Sequence, residues 1–276
     1  MTWFEALVLG LVQGLTEFLP ISSSAHLSIV GQAFGGDDPG AAFTAITQLG
    51  TEAAVLVYFA RDIARIVTAW VRALFKKVPQ SHPDVRMGWL VIIGSVPIGV
   101  LGFAFADVIE GPVVRNLWLT VTMLVVFSFV ILFADLTARN ERTLDRLTWR
   151  HGVFYGLAQS CALIPGVSRS GGTIAAGLLM GYTRESAARY SFLLAIPAVL
   201  GSGFYQLGKV SDDPQPVAWG PIALATVVAF AVGYVVIAWL LRYISTHRFT
   251  PFVVYRLGLA AVVAVLLLTG VLEPTA

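Results

Sequence analysis

The sequence predicts an all-α integral membrane protein built as six transmembrane helices plus two re-entrant helix-loop-helix hairpins in an inverted-topology repeat. Three observations carry this. The chain is 57% hydrophobic and only 12% charged, with a mean hydropathy of +0.79, far more apolar than a soluble domain of 276 residues. A polar motif occurs twice inside apolar sequence, as Gly10-Leu-Val-Gln-Gly-Leu-Thr-Glu-Phe-Leu-Pro-Ile-Ser-Ser-Ser-Ala-His26 and as Gly156-Leu-Ala-Gln-Ser-Cys-Ala-Leu-Ile-Pro-Gly-Val-Ser-Arg-Ser-Gly-Gly-Thr173. The basic residues, finally, gather in alternate connections.

In chain order, residues 1–34 form the first hairpin. Pro20 and the serines after it cut this stretch into two pieces, each too short to span a bilayer that needs about 20 apolar residues. Broken backbone at membrane depth is tolerated only where it is buried in protein or lines a cavity. The apolar N-terminal run does not read as a secretory signal, because it lacks a basic start, carries Glu5, Gln13 and Glu17, and recurs at 156–173. Spans follow at 41–60, 87–106 and 117–135 and complete pseudo-repeat one, 1–135. Pseudo-repeat two, 151–276, has its hairpin at 151–181, broken at Pro165, and spans at 187–207, 219–241 and 251–271. The whole of 1–276 reads as one membrane domain. Pro97 and Pro197 fall within spans and are expected to kink them. Trp3, Trp89, Trp118, Trp149 and Trp219 sit near span ends, as an aromatic belt would.

Of the 18 Lys and Arg residues, fourteen lie in 61–86, 136–150, 182–190 and 242–250. The alternate connections hold only Arg115 and Lys209, and Arg169 and Arg256 lie within apolar sequence. The positive-inside rule makes the fourteen-residue set cytoplasmic. The first hairpin then enters from outside and the second from the cytoplasm, with both termini outside. Each half has an odd number of crossings, so the second copy is upside down and the two hairpin tips meet near the midplane. The net charge of +2 says nothing about partners, the lone Cys161 excludes an intrachain disulfide, and no nucleic-acid signature is present.

The tips hold the chemistry. Ser22, Ser23 and Ser24 precede a predicted helix over 25–34, and Ser168 and Ser170 precede one over 172–181. Serine there caps orphan backbone donors. Two facing helix N-termini also aim two sets of N–H groups and two positive dipole ends at one place, which suits an anion. Arg169, between serines and glycines, has the planar fork that binds phosphate oxygens in pairs; the structural alternative is a salt bridge to Glu17. Gln13 lies one turn before Glu17 on the same helical face, and the two could bind a divalent cation through oxygen, as Mg²⁺ is bound by one or two carboxylates plus substrate phosphates. His26 is a candidate acid-base group or nucleophile, with Ser23 and Ser22 as alternative nucleophiles; the sequence leaves open serine, histidine or activated water. Glu52, four residues after Gln48 in the first span, either adds a carboxylate to the cavity or forms a structural pair. Arg256 reads as snorkelling to a cytoplasmic end.

The pattern Gln13-x3-Glu17-Phe-Leu-Pro-x-Ser-Ser-x-x-His26, with Pro165-Gly-x-Ser-Arg-Ser-Gly171, resembles the bacitracin-resistance family of undecaprenyl-diphosphate phosphatases. The resemblance extends over the chain, including Gln48-Leu-Gly50 and Pro251-Phe-x-x-Tyr-Arg256. It implies hydrolysis of a C55 polyprenyl diphosphate to the monophosphate carrier of peptidoglycan assembly, with Mg²⁺ or Ca²⁺, at a site opening to the extracytoplasmic side of a bacterial cytoplasmic membrane, and resistance to bacitracin. It places the acidic motif on Gln13 and Glu17, the histidine on His26, the serine pair on Ser22 and Ser23, and the arginine motif on Ser168, Arg169, Ser170 and Thr173. Gln13 leaves the expected cation site one charge short. On this reading Glu17, His26, Ser23 and Arg169 are catalytic, and Ser22, Ser24, Ser168, Ser170 and Thr173 bind phosphate. The lipid diphosphate and the bilayer are the expected partners, and a homodimer stays open. The alternative from another class is a flippase for the lipid monophosphate, since inverted repeats with broken helices are also transporter architecture.

Overall fold

The computed structural model describes residues 1–34, 40–109, 111–211 and 218–274, and these are all-helical. The first hairpin is α1, Trp3–Thr16, and α2, Ser23–Ala33, joined by a turn through Pro20. Then come α3, Gly40–Tyr58; α4, Ala60–Leu74; α5, Pro83–Ala104; a single turn, α6, Ala106–Ile109; and α7, Leu117–Thr137. The second hairpin is α8, Trp149–Ser160, and α9, Arg169–Leu179, followed by α10, Arg184–Ser211, α11, Trp219–Ile244, and α12, Thr250–Leu268.

Among the described residues five helices are long and apolar enough to cross a membrane: α5, α7, α10 (over Arg184–Gly208), α11 and α12. The sixth expected span, 41–60, falls on α3, a helix of 19 residues that is not among these five and carries Gln48, Thr51 and Glu52 at its middle. The hairpin helices contain 14, 11, 12 and 11 residues. At 1.5 Å per residue even α1 reaches only about 21 Å, short of a bilayer core of about 30 Å.

Ends follow local chemistry. Thr2 and Glu5 form a capping box on α1, and the Asn116 and Thr148 side chains cap α7 and α8. His82 caps α5 with Pro83 in its first turn, so that helix starts before the expected 87. Pro97 and Pro197 lie inside unbroken α5 and α10. One element was not expected: the basic segment after α3 is partly helical. In α4 the charges Arg61, Arg65 and Arg72 accompany an exposed apolar series, Val67, Val71 and Leu74, at helical spacing.

Packing pairs each hairpin with the opposite half. α1 lies chiefly against α11, and α8 chiefly against α5. Gly10 and Gly156, the opening residues of the two motif copies, make these contacts possible. A Cβ on either would fall within 3.0 Å of backbone, at Ala225 in α11 or Gly94 in α5. Small residues at such crossings let helix backbones approach without a side chain between them. α3 and α10 pack together at the centre, as do α7 and α12. Buried Asp135 at the end of α7 pairs with Arg184 of α10 at 2.6 Å and accepts from the Phe249 N–H, before α12, at 3.0 Å.

Candidate active site

Both hairpins break on the same backbone geometry. Ser22 and Ser168, the N-caps of α2 and α9, adopt φ of 74° and 71°. This left-handed conformation costs a non-glycine residue of order 1–3 kcal/mol and persists only where the surroundings enforce it. At each tip a pair of hydroxyls lies 3.2 Å apart, Ser22 with Ser24 and Ser168 with Ser170. Ser168 Oγ also accepts from the Gly171 N–H at 3.2 Å, whereas the Ser22 hydroxyl makes no such cap. Ser170 Oγ donates across to Leu19 O at 3.0 Å and ties one tip to the other.

What enforces the breaks is Arg256. Far from snorkelling, it is fully buried. It donates through Nη1 to Pro20 O at 3.1 Å, through Nη2 to Gly166 O at 2.8 Å and Leu124 O at 3.3 Å, and through Nε to Ser128 Oγ at 3.1 Å. One guanidinium from α12 thus satisfies a freed carbonyl in each break, as backbone buried in protein requires.

Between the tips lies a polar cluster centred on Glu17. Its Oε1 accepts from Arg169 Nη2 at 2.6 Å; its Oε2 accepts from Ser23 Oγ at 2.7 Å and from Gln13 Nε2 at 2.8 Å. The Arg169–Glu17 pair offered by the sequence as an alternative to phosphate binding is therefore formed, 152 residues apart in the chain. It does not exhaust the arginine, because among the described residues buried Arg169 Nη1 has no partner, nor does Gln13 Oε1 or Glu52 Oε1.

A cavity of about 680 Å³ opens at this cluster, reached by Glu17, Ser22, Ser23, Ser24, Ser168 and Arg169. Gln48 adds a further polar group. Away from the tips the wall turns apolar along the C-terminal half of α5, through Val96, Gly99 and Phe103, and along α10 through Val199. One end suits an anion and the other a hydrocarbon.

Not every expected residue faces that space. The Thr173 hydroxyl donates to Arg169 O at 2.7 Å and is bonded to Ser191, which supports the start of α9. His26 is held on both ring nitrogens, Nδ1 to Ser22 O and Nε2 to Tyr255 Oη, each at 2.7 Å, with the two rings stacked. A carbonyl can only accept, so Nδ1 carries the proton and Nε2 accepts from the tyrosine. His26 is thus brought against Ser22 and Tyr255, while the group bonded to Ser23 is Glu17. Sequence reasoning passed over Tyr255, Ser191 and Ser128. Tyr255 was within reach, being part of the Pro251-Phe-x-x-Tyr-Arg256 stretch quoted for its resemblance.

Among the described residues no three His, Cys, Asp or Glu side chains form a metal cluster. The donors present, the Glu17 carboxylate and the unpartnered Gln13 Oε1, are hard oxygens. They fit a cation of the Mg²⁺ or Ca²⁺ type whose remaining positions are filled by water and phosphate oxygens.

The profile of the bacitracin resistance protein BacA matches residues 6–262. The chain belongs to the BacA family. Its relatives in that family include the undecaprenyl-diphosphatase of Kineococcus radiotolerans, 63% identical over 268 residues, covering 97% of this chain and 95% of that protein. Undecaprenyl-diphosphatase 2 of Streptomyces coelicolor is 59% identical over 288 residues, covering 100% and 98%. The Micrococcus luteus undecaprenyl-diphosphatase is also 59% identical, over 277 residues.

Proposed function

We propose that this member of the BacA family is a membrane phosphatase that hydrolyses undecaprenyl diphosphate to undecaprenyl phosphate and inorganic phosphate. The observation that carries the reading is the Ser23–Glu17–Arg169 constellation at the polar end of a cavity whose far wall is apolar. A nucleophile, its proton acceptor and a phosphate clamp stand there within hydrogen-bond reach of one another.

The diphosphate head enters between the tips and the prenyl chain lies along α5 and toward lipid. Arg169 Nη1, the Ser168 hydroxyl and the N–H groups opening α2 and α9 bind the terminal phosphate and stabilise charge as it shifts. Ser23 Oγ attacks the terminal phosphorus while its proton passes to Glu17 Oε2. The bond to the bridging oxygen breaks, and the departing lipid monophosphate takes that proton. Water then attacks the phosphoserine, giving its proton to Glu17, which returns it to Ser23 as phosphate leaves. Glu17 and Gln13 would hold a divalent cation, whose chemistry here is to neutralise phosphate charge. His26 acts as a positioning group, fixing Ser22 and the start of the serine run. Ser170 and Thr173 support the same geometry.

The membrane arrangement belongs to this proposal. The hairpins are re-entrant, α3 is a sixth crossing made viable by its central packing against α10 and α11, and the halves 1–135 and 151–276 form an inverted repeat. The matched φ angles at Ser22 and Ser168, and the exchange of α1 onto α11 and α8 onto α5, support that symmetry. The cavity lies toward the C-terminal ends of α5 and α10, away from the arginine-rich ends. The site therefore opens to the extracytoplasmic side of the bacterial cytoplasmic membrane.

The test is phosphate release from a C55 or C15 prenyl diphosphate by the purified protein in detergent, with Mg²⁺ or EDTA. Wild type is expected to release phosphate only with cation, and Ser23→Ala, Glu17→Ala and Arg169→Ala to lose release. A folded wild type that releases none overturns the enzyme reading and leaves lipid transport.

A further inference from the structure

We infer that Glu52 is the second carboxylate of the cation site, supplying from α3 the negative charge that Gln13 does not. This rests on the cation dependence proposed above and extends it to a residue outside the hairpins.

Glu52 is 1% exposed, at the middle of α3, and its Oε1 has no hydrogen-bond partner. A carboxylate removed from water without hydrogen bonds is costly unless it is paired or coordinates a cation. No charge on its own helix answers it: α3 carries no basic residue, and α11 and α10, packed against it, bring basic groups only at their ends and beyond. The charges that act on Glu52 are Arg169 and Glu17, both in the active-site cluster. Gln48, one helical turn earlier on the same face, lines the cavity with those two residues.

Charge balance gives this placement its meaning. Glu17 is matched by Arg169 at 2.6 Å, so Gln13, Glu17 and Arg169 together present no net negative charge to a cation. With a cation to keep it ionised, Glu52 makes the set net negative. Two acceptor oxygens lack partners among the described residues, Glu52 Oε1 and Gln13 Oε1, and the Gln13 amide is itself bonded to a carboxylate that three donors hold in place. That is an oxygen-only donor set suited to a small hard cation.

The test uses Mn²⁺ as probe, with binding followed by the electron paramagnetic resonance of the free ion, on purified protein without substrate. The proteins are wild type, Glu52→Gln, and the exchange variant Gln13→Glu with Glu52→Gln. Glu52→Gln is expected to weaken Mn²⁺ binding about tenfold or more. The exchange variant is expected to recover most of that loss, and thermal midpoints in EDTA are expected to stay at the wild-type value. Glu52→Gln binding Mn²⁺ as wild type does overturns the inference and leaves the phosphatase reading intact. Weakened binding with a lowered midpoint in EDTA and no recovery in the exchange variant assigns Glu52 to the fold, and also overturns it. A wild type that binds no Mn²⁺ overturns the cation dependence itself, and the role of Glu52 with it.

Discussion

Replacing Arg256 by methionine removes the guanidinium hydrogen bonds that join α12 to the carbonyls of both hairpin breaks while keeping an apolar stem of similar length. The carbonyls of Pro20 and Gly166 lose this donor in a buried setting. At roughly 1–3 kcal/mol for each unsatisfied buried group, the loss is about 2–6 kcal/mol. Removing a buried cation returns part of this, because its desolvation cost disappears. A net destabilisation of about 3 kcal/mol corresponds, at 2–4 °C per kcal/mol for a chain somewhat shorter than this one, to a fall of about 6–12 °C in thermal midpoint. Arg256→Lys is expected to keep one of the two carbonyl contacts and to lose about half as much, since an ammonium lacks the spread of a guanidinium. The assay is intrinsic-fluorescence unfolding in detergent, which reports the tertiary structure directly. A midpoint for Arg256→Met within about 1 °C of wild type would refute the reasoning and restore the picture of an arginine that reaches for water.

Three further outcomes are expected. Gly10→Leu and Gly156→Leu should each lower the thermal midpoint, because the new side chain meets the backbone of Ala225 or Gly94; expression of a wild-type-stable Gly156→Leu protein would contradict the close crossing. Ser23→Ala should reduce kcat by at least about 10⁴-fold with little change in KM, and acid-quenched wild type should carry label from a terminally labelled substrate that Ser23→Ala does not. Tyr255→Phe removes the donor to His26 Nε2 and should lower kcat by up to about tenfold, the worth of one neutral hydrogen bond, without abolishing turnover.

Much of this site is legible in the chain because the motif is written twice. A proline followed by serines in apolar sequence marks a broken helix, and the two such breaks are bonded to each other in the fold. Glu17 and Arg169 were nameable from the repeated motif alone. The groups that hold the breaks were harder. Arg256, Ser128 and Tyr255 lie in long apolar helices, where periodicity is blurred because neighbouring lipid and neighbouring helix are both apolar, so the face turned to the hairpins is unmarked. Near a helix end, Arg256 looked like any interfacial arginine. α4 was hidden for a different reason: its arginines were read for topology, and their helical alternation with Val67, Val71 and Leu74 went unread. α3 shows the converse, since a polar residue at its middle, Gln48, faces the cavity and interrupts its apolar run.

The exchange of hairpins between halves bears on how the protein is made. α1 is made before its principal partner, α11, which follows more than 200 residues later. α8 meets a partner, α5, that has already been made, whereas α1 stays without its principal partner until α11 is translated. The first hairpin has to wait beside the growing chain with its broken backbone provisionally satisfied by water, lipid headgroups or the insertion machinery. Only the arrival of α11, and of α12 with Arg256, closes that interval, so the two hairpin breaks gain their shared donor late.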